Sequence, residues 1–311
     1  MKVFVTGGTG ALGPYIVSEL HAAGHEVTAL ARTSAKASAV EAMGATPSGA
    51  SLFDVESLAR AFAGHNAVLN LATSIPEPRR FLTASGWRDN DEIRDAGSAA
   101  VAEAVRRVEG LRLVQESVAF NHADAGAEWI DEESALDPLS HGVSALAAER
   151  HATEVGGVAL RFGLFYGPGS SHSKMLIDSA RRHVGFVAGS PRAFQPAIHL
   201  ADAAGATVAA LAVRTPTTGP ATALNFGNSL GSTAQLRDPG LRILDLCRVK
   251  ISQALDQFSK IVWLHKVFRI ISEGLYWPLL SKRWLPTRNA DTTKEKAPAK
   301  PGLSKFDGAL A

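Results

Sequence analysis

A glycine-rich segment near the start of the chain limits the possible fold more than any other feature. Residues 3–5 are apolar and predict a strand, and residues 14–23 predict a helix. The connection between them consists of Thr6, Gly7, Gly8, Thr9, Gly10, Ala11, Leu12 and Gly13. Glycines between a strand and a helix allow a tight turn, a close approach of main-chain amides to a diphosphate, and close packing of the helix on the strand. We expect these eight residues to bind the diphosphate of a dinucleotide; the alternative is a glycine turn without a ligand.

Strand-like and helix-like segments alternate over roughly the first 228 residues. Strands are predicted at 3–5, 26–31, 67–71, 112–115 and 158–162, and helices at 14–23, 57–62, 96–108 and 144–153. This order predicts an α/β fold with a Rossmann-type, doubly wound parallel sheet and helices on both faces. We assign residues 1–228 to this dinucleotide-binding domain.

The composition changes after residue 228. Aromatic residues alternate with lysine and arginine between 258 and 285, which predicts amphipathic helices. We therefore expect residues 229–287 to form a smaller, mostly helical lobe. Its aromatic side chains would pack this lobe or line a pocket, and contact of 258–285 with a membrane surface is the less favoured alternative. Residues 288–311 lack an apolar period and predict a disordered tail.

Charge and cysteine content argue against several classes of protein. The net charge of +2 is far below the basic excess of a nucleic-acid surface, so no nucleic-acid partner is expected. Cys247 is the only cysteine, which excludes an intramolecular disulfide and a cysteine-built metal site. The acidic run Asp131, Glu132 and Glu133 predicts a solvated loop rather than a metal site, since no partnered ligands are visible in the sequence.

The sequence also bears on location. Lys2 leads directly into the first strand and leaves no room for the apolar region of a signal peptide. No uninterrupted apolar stretch reaches the roughly 18 to 20 residues needed to span a bilayer. We expect a cytoplasmic protein with a small-molecule substrate, and a homodimer is an open alternative.

The residue that follows the second strand bears on the choice of dinucleotide. NAD-preferring proteins carry an acidic side chain about 20 residues after the glycine turn, where it hydrogen-bonds the ribose hydroxyls. Arg32 occupies this place. A guanidinium attracts the 2′-phosphate of NADP, so NADP is favoured over NAD as the cofactor. In the other interpretation Arg32 is a solvated loop residue.

Further motifs follow the glycine turn in a regular order. They are Phe53-Asp54, Leu69-Asn70-Leu71-Ala72, Gln115-Glu116-Ser117, Leu160-Arg161, Tyr166-Gly167-Pro168-Gly169 and Ile198-His199-Leu200-Ala201-Asp202. Together they resemble the extended short-chain dehydrogenase/reductase family, also described as the NAD-dependent epimerase/dehydratase family. The resemblance implies that Asp54 lies beside the adenine and that Leu71 and Ala72 follow the cofactor ribose. It also implies that Gly167 and Pro168 shape the nicotinamide pocket.

The proton chemistry of this family uses a serine and a Tyr-x-x-x-Lys pair on one helix. One helical turn stacks the lysine behind the tyrosine, where its charge lowers the pKa of the phenol. The resemblance assigns the serine to Ser117. The tyrosine position falls on His141 and the lysine position on Ala145, so the usual phenol and amine are both absent.

Three interpretations of this departure stay open. In the first, His141 replaces the tyrosine as acid and base, because imidazole titrates near neutral pH without a neighbouring ammonium group. In the second, Tyr166 supplies the proton from beyond a sheet strand, where the family places the nicotinamide. In the third, the site binds a cofactor without turnover, and His141 is an ordinary residue of a loop or helix start.

These expectations combine into one functional prediction. The chain is expected to be an NAD(P)-dependent oxidoreductase or epimerase-like enzyme acting on a small carbonyl or hydroxyl substrate, with residues 166–198 on the substrate side. Ser117 would polarise the substrate oxygen and His141 would exchange the proton. The alternative is a noncatalytic NADP-binding sensor or regulatory protein. Asp202 is expected to cap the helix predicted at 203–211, and a catalytic or metal-binding pair of His199 and Asp202 is the less favoured alternative.

Overall fold

The computed structural model describes residues 1–212, except 78, 79, 82, 126, 127, 129 and 184–195, and also the strand at 223–226. The predicted lobe at 229–287, its amphipathic segment at 258–285 and the predicted tail at 288–311 lie outside the described residues. In the described part, a parallel sheet carries helices on both faces, so the Rossmann-type fold predicted from the sequence is confirmed. No helix of this part combines the length and apolar character that a membrane crossing requires.

Seven strands form the main sheet, and two more form a small parallel pair. In chain order they are β1 (Lys2–Thr6), β2 (Glu26–Leu30), β3 (Thr46–Ser48), β4 (Ala67–Asn70), β5 (Arg112–Val118), β6 (Val158–Phe162), β7 (Leu164–Tyr166), β8 (Ala197–His199) and β9 (Ala223–Phe226). The main sheet has the order β3-β2-β1-β4-β5-β6-β9, and β7 pairs with β8. The strand order reverses between β1 and β4, and doubly wound folds bind ligands beyond the carboxyl ends of the strands at such a point.

The helices cover the two faces of the sheet. They are α1 (Gly13–Ala22), α2 (Ser34–Ala42), α3 (Val55–Phe62), α4 (Ala84–Glu92), α5 (Ser98–Arg106), α6 (Val143–Thr153), α7 (Ser171–Arg181) and α8 (Leu200–Ala210). Val3 and Val5 of β1 pack in one core cluster with α1 and α8, whereas Phe4 packs in the other with α3 and α5. Successive strand side chains point to opposite faces, so the apolar run of β1 supplies both cores.

One helical region is longer than the sequence predicts. The pattern indicates a helix at 96–108, whereas the helical chain begins at Ala84 and ends at Arg106, with a π-helical turn at Ile93–Gly97 between α4 and α5. α4 is polar along most of its length and lacks the apolar period on which the prediction depends. Its packing brings Trp87 against the turn that precedes α6.

Candidate functional site

The glycine turn lies at the carboxyl end of β1, where the sequence predicts the diphosphate. Gly7 has a φ of 70°, which residues with a side chain rarely adopt, and a Cβ there would overlap the backbone of Leu71. A Cβ on Gly13 would overlap the carbonyl group of Gly8. The turn closes through main-chain hydrogen bonds from Gly10 N to Gly7 O at 2.9 Å and from Gly13 N to Gly10 O at 3.1 Å. Positions 7 and 13 therefore accept only glycine.

The amino end of α1 adjoins this turn. The helix begins at Gly13, and no side chain caps its N terminus. Uncapped amides and the positive end of the helix dipole favour an anion. Among the other predicted members of the turn, Gly8 and Leu12 are buried, Thr9 is half-buried, and Gly10 and Ala11 are exposed. The turn is a main-chain cradle that fits the diphosphate of a dinucleotide.

Three buried polar side chains connect the carboxyl ends of β1 and β4 with the middle of β5. Thr6 Oγ1 donates to Asn70 Oδ1 at 2.5 Å, and Asn70 Nδ2 donates to Gln115 Oε1 at 2.7 Å. Thr6 Oγ1 also accepts a hydrogen bond from Leu71 N at 3.2 Å. Since Leu71 opposes Gly7, this bond holds the loop after β4, including half-buried Ala72, against the glycine turn. The predicted Thr6 thus contributes to the site by fixing the backbone around the cradle.

The two residues predicted at the adenosine end follow β2 and precede α3. Arg32 is exposed and stands directly before Thr33, whose Oγ1 accepts from Lys36 N at 3.3 Å and caps α2. Asp54 caps α3, because its Oδ1 accepts from Ser57 N at 3.0 Å. Asp54 is also exposed, so capping and the predicted contact with adenine are compatible.

A hydrogen bond joins α1 to the segment predicted to shape the nicotinamide pocket. The hydroxyl of Tyr15 donates to Pro168 O at 2.9 Å, across 153 residues of sequence. Gly167 has a φ of 123°, and a Cβ there would approach His199 Nε2 to 2.6 Å. The rings of Tyr15 and Tyr166 pack edge-on against His199, with centroid distances of 6.2 and 5.3 Å. The Gly167-Pro168 turn therefore lies beside the helix that begins at the cradle.

His199, and not Asp202, caps α8. Its Nδ1 accepts from Ala201 N at 3.2 Å, so the expectation that Asp202 caps this helix is wrong. The reason is that α8 begins at Leu200, which leaves Asp202 inside the first turn. Burial, opposed by His199, raises the pKa of the Asp202 carboxyl, and burial followed by the charge of Asp202 raises the pKa of Tyr166. A phenol with a raised pKa keeps its proton at neutral pH, which disfavours Tyr166 as a proton-exchanging group.

The hydroxyl of Ser117 on β5 is directed at a buried carboxylate. Ser117 is 0% exposed, and its Oγ donates to Glu149 Oε1 at 2.5 Å. Glu149 on α6 also accepts from Arg161 on β6, through Nε at 2.9 Å and Nη2 at 2.7 Å. These three side chains form one buried group that ties α6 to β5 and β6. A contact between Ser117 and a substrate requires its hydroxyl to leave this hydrogen bond.

A second buried ion pair joins the π-helical turn between α4 and α5 to β5. Arg94, in the π-helical turn, donates through Nη2 to both carboxylate oxygens of Glu116, at 3.0 and 2.8 Å. Both side chains are buried. Burial raises the pKa of Glu116, and the charge and hydrogen bonds of Arg94 oppose this rise. The pair fixes the α4–α5 region on β5.

His141 lies in a short 3₁₀ turn, Ser140–Gly142, directly before α6. Its ring stacks on the indole of Trp87, with centroids 4.3 Å apart and an interplanar angle of 15°. Asn121 Nδ2 donates to Gly142 O at 3.2 Å and fixes the turn to the end of β5. His141 is half-buried, so part of the imidazole is accessible to a ligand.

The acidic loop of the sequence is held by its own hydrogen bonds. Asp131 Oδ1 accepts from Ser134 Oγ at 2.7 Å and from Glu133 N at 3.2 Å, and these bonds, the first above all, lower the pKa of Asp131. No group of three or more His, Cys, Asp or Glu side chains within the described ranges is arranged to hold a metal ion.

The structure brings only some of the predicted site residues together. The glycine turn, the loop after β4 and the Gly167-Pro168 turn are connected through Leu71 and Tyr15. Ser117 and His141 instead have different partners, Glu149 and Trp87. Sequence reasoning missed Tyr15 and Trp87, because each meets its partner through tertiary packing that no local spacing reveals.

Known proteins similar to this chain agree with the geometry. Residues 7–152 match a family model described as NAD(P)H-binding. A 3-diazoavenalumate denitrifying reductase from Streptomyces sp is 29% identical over 185 residues, which cover 56% of this chain and 59% of the reductase. A decarboxylating sterol-4-alpha-carboxylate 3-dehydrogenase from Dictyostelium discoideum is 41% identical over 74 residues, 24% of this chain and 23% of the dehydrogenase. The matched region thus spans less than two thirds of either relative.

Solved structures share the fold over most of their length. One is UDP-glucuronic acid 4-epimerase from Bacillus cereus, solved in complex with UDP-glucuronic acid and NAD. Its TM-score is 0.60 at 19% sequence identity, and the aligned region covers 73% of this chain and 77% of the epimerase chain. UDP-glucose 4-epimerase from Thermus thermophilus, in complex with NAD, has a TM-score of 0.59 at 24% identity, with 73% and 78% covered.

The fold and the cradle together define a dinucleotide-binding protein of the Rossmann type. The family model, the relatives and the shared fold agree with the resemblance to the extended short-chain dehydrogenase/reductase family that was drawn from the sequence. The match of residues 7–152 to an NAD(P)H-binding family model indicates a nicotinamide dinucleotide, NAD or NADP, as the cofactor.

Proposed function

We propose that this protein is an NADP(H)-dependent oxidoreductase that acts on a small carbonyl or hydroxyl compound. The main support is the cradle after β1, which presents main-chain amides and leaves no room for a side chain at Gly7 or Gly13. The two relatives with named activities are a reductase and a dehydrogenase, which favours net redox chemistry over epimerisation. Epimerase-like chemistry, suggested by the 4-epimerases that share the fold, is the alternative to be tested beside it.

The proposed cofactor contacts follow the carboxyl edge of the sheet. The diphosphate lies on the cradle, with Leu71 and Ala72 beside the cofactor ribose and Asp54 beside the adenine. The nicotinamide lies near Gly167 and Pro168, which Tyr15 holds next to α1. When bound, NADPH supplies a hydride equivalent for the reduction of a carbonyl carbon.

In this proposal, Arg32 is the residue that makes the protein bind NADP more tightly than NAD. It is exposed directly after the β2 segment, so its guanidinium can reach a 2′-phosphate without displacing a core residue. A charge-assisted hydrogen bond of this kind contributes about 1.5 to 3 kcal/mol, or roughly a 10- to 150-fold difference in affinity.

The Arg32→Ala variant tests this preference. We expect NADPH binding, measured by the fluorescence of the reduced nicotinamide, to weaken about 10- to 150-fold while NADH binding changes little. Arg60→Ala, a change at another exposed arginine on α3, is the matched control and should leave both affinities unchanged. Tighter binding of NADH than of NADPH by the unaltered protein would refute the proposed preference.

His141 exchanges the proton in the proposed reaction. The carbonyl carbon gains the hydride, the C–O π bond breaks, and the oxygen takes a proton from the imidazolium of His141, which gives an alcohol and NADP⁺. It lies in the turn directly before α6, and the resemblance assigns the tyrosine of the family to this position. The partly exposed imidazole favours it over Tyr166, whose pKa is raised by burial.

The His141→Ala variant separates turnover from binding. Loss of a positioned acid lowers kcat by about 10²- to 10⁴-fold, whereas NADPH affinity should stay within about twofold because the cradle is formed by other residues. His21→Ala, on the exposed last turn of α1, is the control and should keep full activity. Unchanged kcat in His141→Ala would remove this histidine from the mechanism.

A noncatalytic NADP-binding sensor is the second candidate. The observation in its favour is the hydroxyl of Ser117, which is fully buried and bonded to Glu149 rather than exposed to a substrate. A panel of aldehydes, ketones and nucleotide sugars, followed through NADPH fluorescence, distinguishes the two functions. Consumption of NADPH, or isomerisation of a sugar, supports an enzyme, while tight NADPH binding without turnover of any compound supports the sensor.

A further inference from the structure

Most of the exposed apolar side chains of the described residues fall within one stretch of the chain that includes His141. Ten large hydrophobic side chains are exposed among the described residues, and seven of them lie between residues 75 and 143. This stretch includes the segments that follow β4 and β5, which leave the sheet at its carboxyl edge. Doubly wound folds bind ligands at this edge, so exposed apolar side chains on these segments bear on the chemistry of the ligand.

An aromatic cluster lies within this stretch of the chain. Trp87 lies between two rings: it stacks on His141, and Phe81 packs against it edge-on with centroids 4.8 Å apart. Trp87 Nε1 also donates to Phe81 O at 2.8 Å, which fixes the indole and the Phe81 backbone together. Trp87 is buried, whereas Phe81 is 45% exposed and His141 is half-buried. The cluster therefore presents Phe81 and His141 outward on a fixed base.

Two exposed apolar residues lie two positions before and two positions after His141 in the sequence. Leu139 is 63% exposed and Val143 is 56% exposed. Two neighbouring polar side chains are already bonded within the protein: Ser144 Oγ donates to Asp91 Oδ1 at 2.8 Å, and Asn121 Nδ2 donates to Gly142 O at 3.2 Å. A sugar placed here would lose hydrogen bonds to water with few replacements, whereas a flat apolar group would cover exposed carbon.

We propose that the substrate is a flat, apolar carbonyl compound, such as an aromatic aldehyde or ketone, whose ring lies against Phe81 while its oxygen faces His141. This inference rests on the proposed function for the reaction itself and adds the substrate class. The aromatic ring gains contact with Phe81, Leu139 and Val143, and its carbonyl oxygen meets the one titratable group of this aromatic cluster.

Selectivity between two probe aldehydes tests the inference. The kcat/KM values for cinnamaldehyde and for glyceraldehyde are measured with NADPH, and we expect the unaltered protein to favour cinnamaldehyde by at least tenfold. In Phe81→Ala this ratio should fall about tenfold, since an aromatic contact is worth roughly that factor. Phe53→Ala is the matched control and should leave this ratio unchanged. Phe53 is 41% exposed and lies before α3. Any effect of this change on cofactor binding is common to both aldehydes and cancels in the ratio.

A binding measurement keeps this inference distinct from the proposed function. The affinity of 2-naphthol for the NADP⁺-loaded protein is measured by calorimetry in the unaltered protein and in Phe81→Ala. Naphthol binding that weakens about tenfold in the variant supports the apolar site even if no aldehyde is reduced, in which case only the proposed reductase activity fails. Preference for glyceraldehyde, a ratio unaffected by Phe81→Ala, or absence of both cinnamaldehyde turnover and naphthol binding overturns the substrate class.

Discussion

The hydrogen bond from Ser117 to Glu149 allows a catalytic role of this serine to be separated from a structural one. In Ser117→Ala the side chain loses only its hydroxyl, so the change leaves almost no cavity. Glu149 Oε1 loses the 2.5 Å bond from Ser117 but still accepts from Arg161 Nε at 2.9 Å. The carboxylate therefore stays paired, and the loss is that of one hydrogen bond to a charged acceptor, about 1.5 to 3 kcal/mol of the free energy of unfolding.

A structural role and a catalytic role predict different readouts. If Ser117 only joins β5 to α6, urea unfolding followed by far-UV circular dichroism should show this loss of stability, while kcat stays within about threefold. If it also polarises the substrate oxygen, kcat should fall by about 10²-fold or more at saturating NADPH. From the observed contacts we expect the stability loss with a small change in kcat.

Ser98→Ala is the matched control for this experiment. Ser98 is equally buried, but its hydroxyl donates to the neutral carbonyl of Arg94 and also meets His151. Its removal should cost about 1 kcal/mol. A Ser117→Ala variant that is no less stable than the Ser98→Ala variant would refute the reasoning, because the charged acceptor would then add nothing.

Three further predictions concern other parts of the domain. Gly13→Ala should weaken NADPH binding more than tenfold and cost about 1 to 3 kcal/mol of stability, measured by titration and urea unfolding, because the new Cβ meets the carbonyl of Gly8. Arg94→Met should destabilise the fold by about 3 to 5 kcal/mol, because it leaves Glu116 as a buried unpaired charge. Adding Glu116→Gln should recover much of the lost stability. If the double variant recovers none, the unpaired charge is not the cause of the loss. Burial lowers the pKa of His65 below 6.5, so the folded state binds fewer protons than the unfolded state. The free energy of unfolding should therefore decrease as the pH falls below about 6.5. His65→Gln should show a smaller decrease, and an equal decrease would argue against His65 as its source.

The parts of the site that could be predicted from the sequence are those with local determinants. The cradle is one, since Gly7 and Gly13 are required by backbone contacts within a single strand–turn–helix unit and its neighbour β4. The alternation of strands and helices is another, because each element carries its own apolar period. The prediction that Arg32 selects NADP has the same local basis, because it depends on the distance along the chain from the glycine turn.

Long-range packing decided the rest. α4 has no apolar period, and its polar sequence gives no sign that Trp87 will stack on His141. The family resemblance assigns the catalytic serine to Ser117, yet only the folded chain directs its hydroxyl to Glu149. Likewise, the sequence predicts Asp202 as the cap of α8, whereas His199 caps this helix in the structure. β8 pairs with β7 up to His199, and α8 begins at the next residue.

The amino-acid sequence by itself determined the Rossmann-type sheet and the dinucleotide cradle, because backbone freedom at glycine and the period of apolar residues act over a few neighbouring positions. Only the tertiary structure decided what surrounds His141, the proposed proton donor. The apolar surface beside His141 and the buried ion pairs behind it arise where distant segments meet, and the free energy of those contacts exists only after the sheet has brought the segments together.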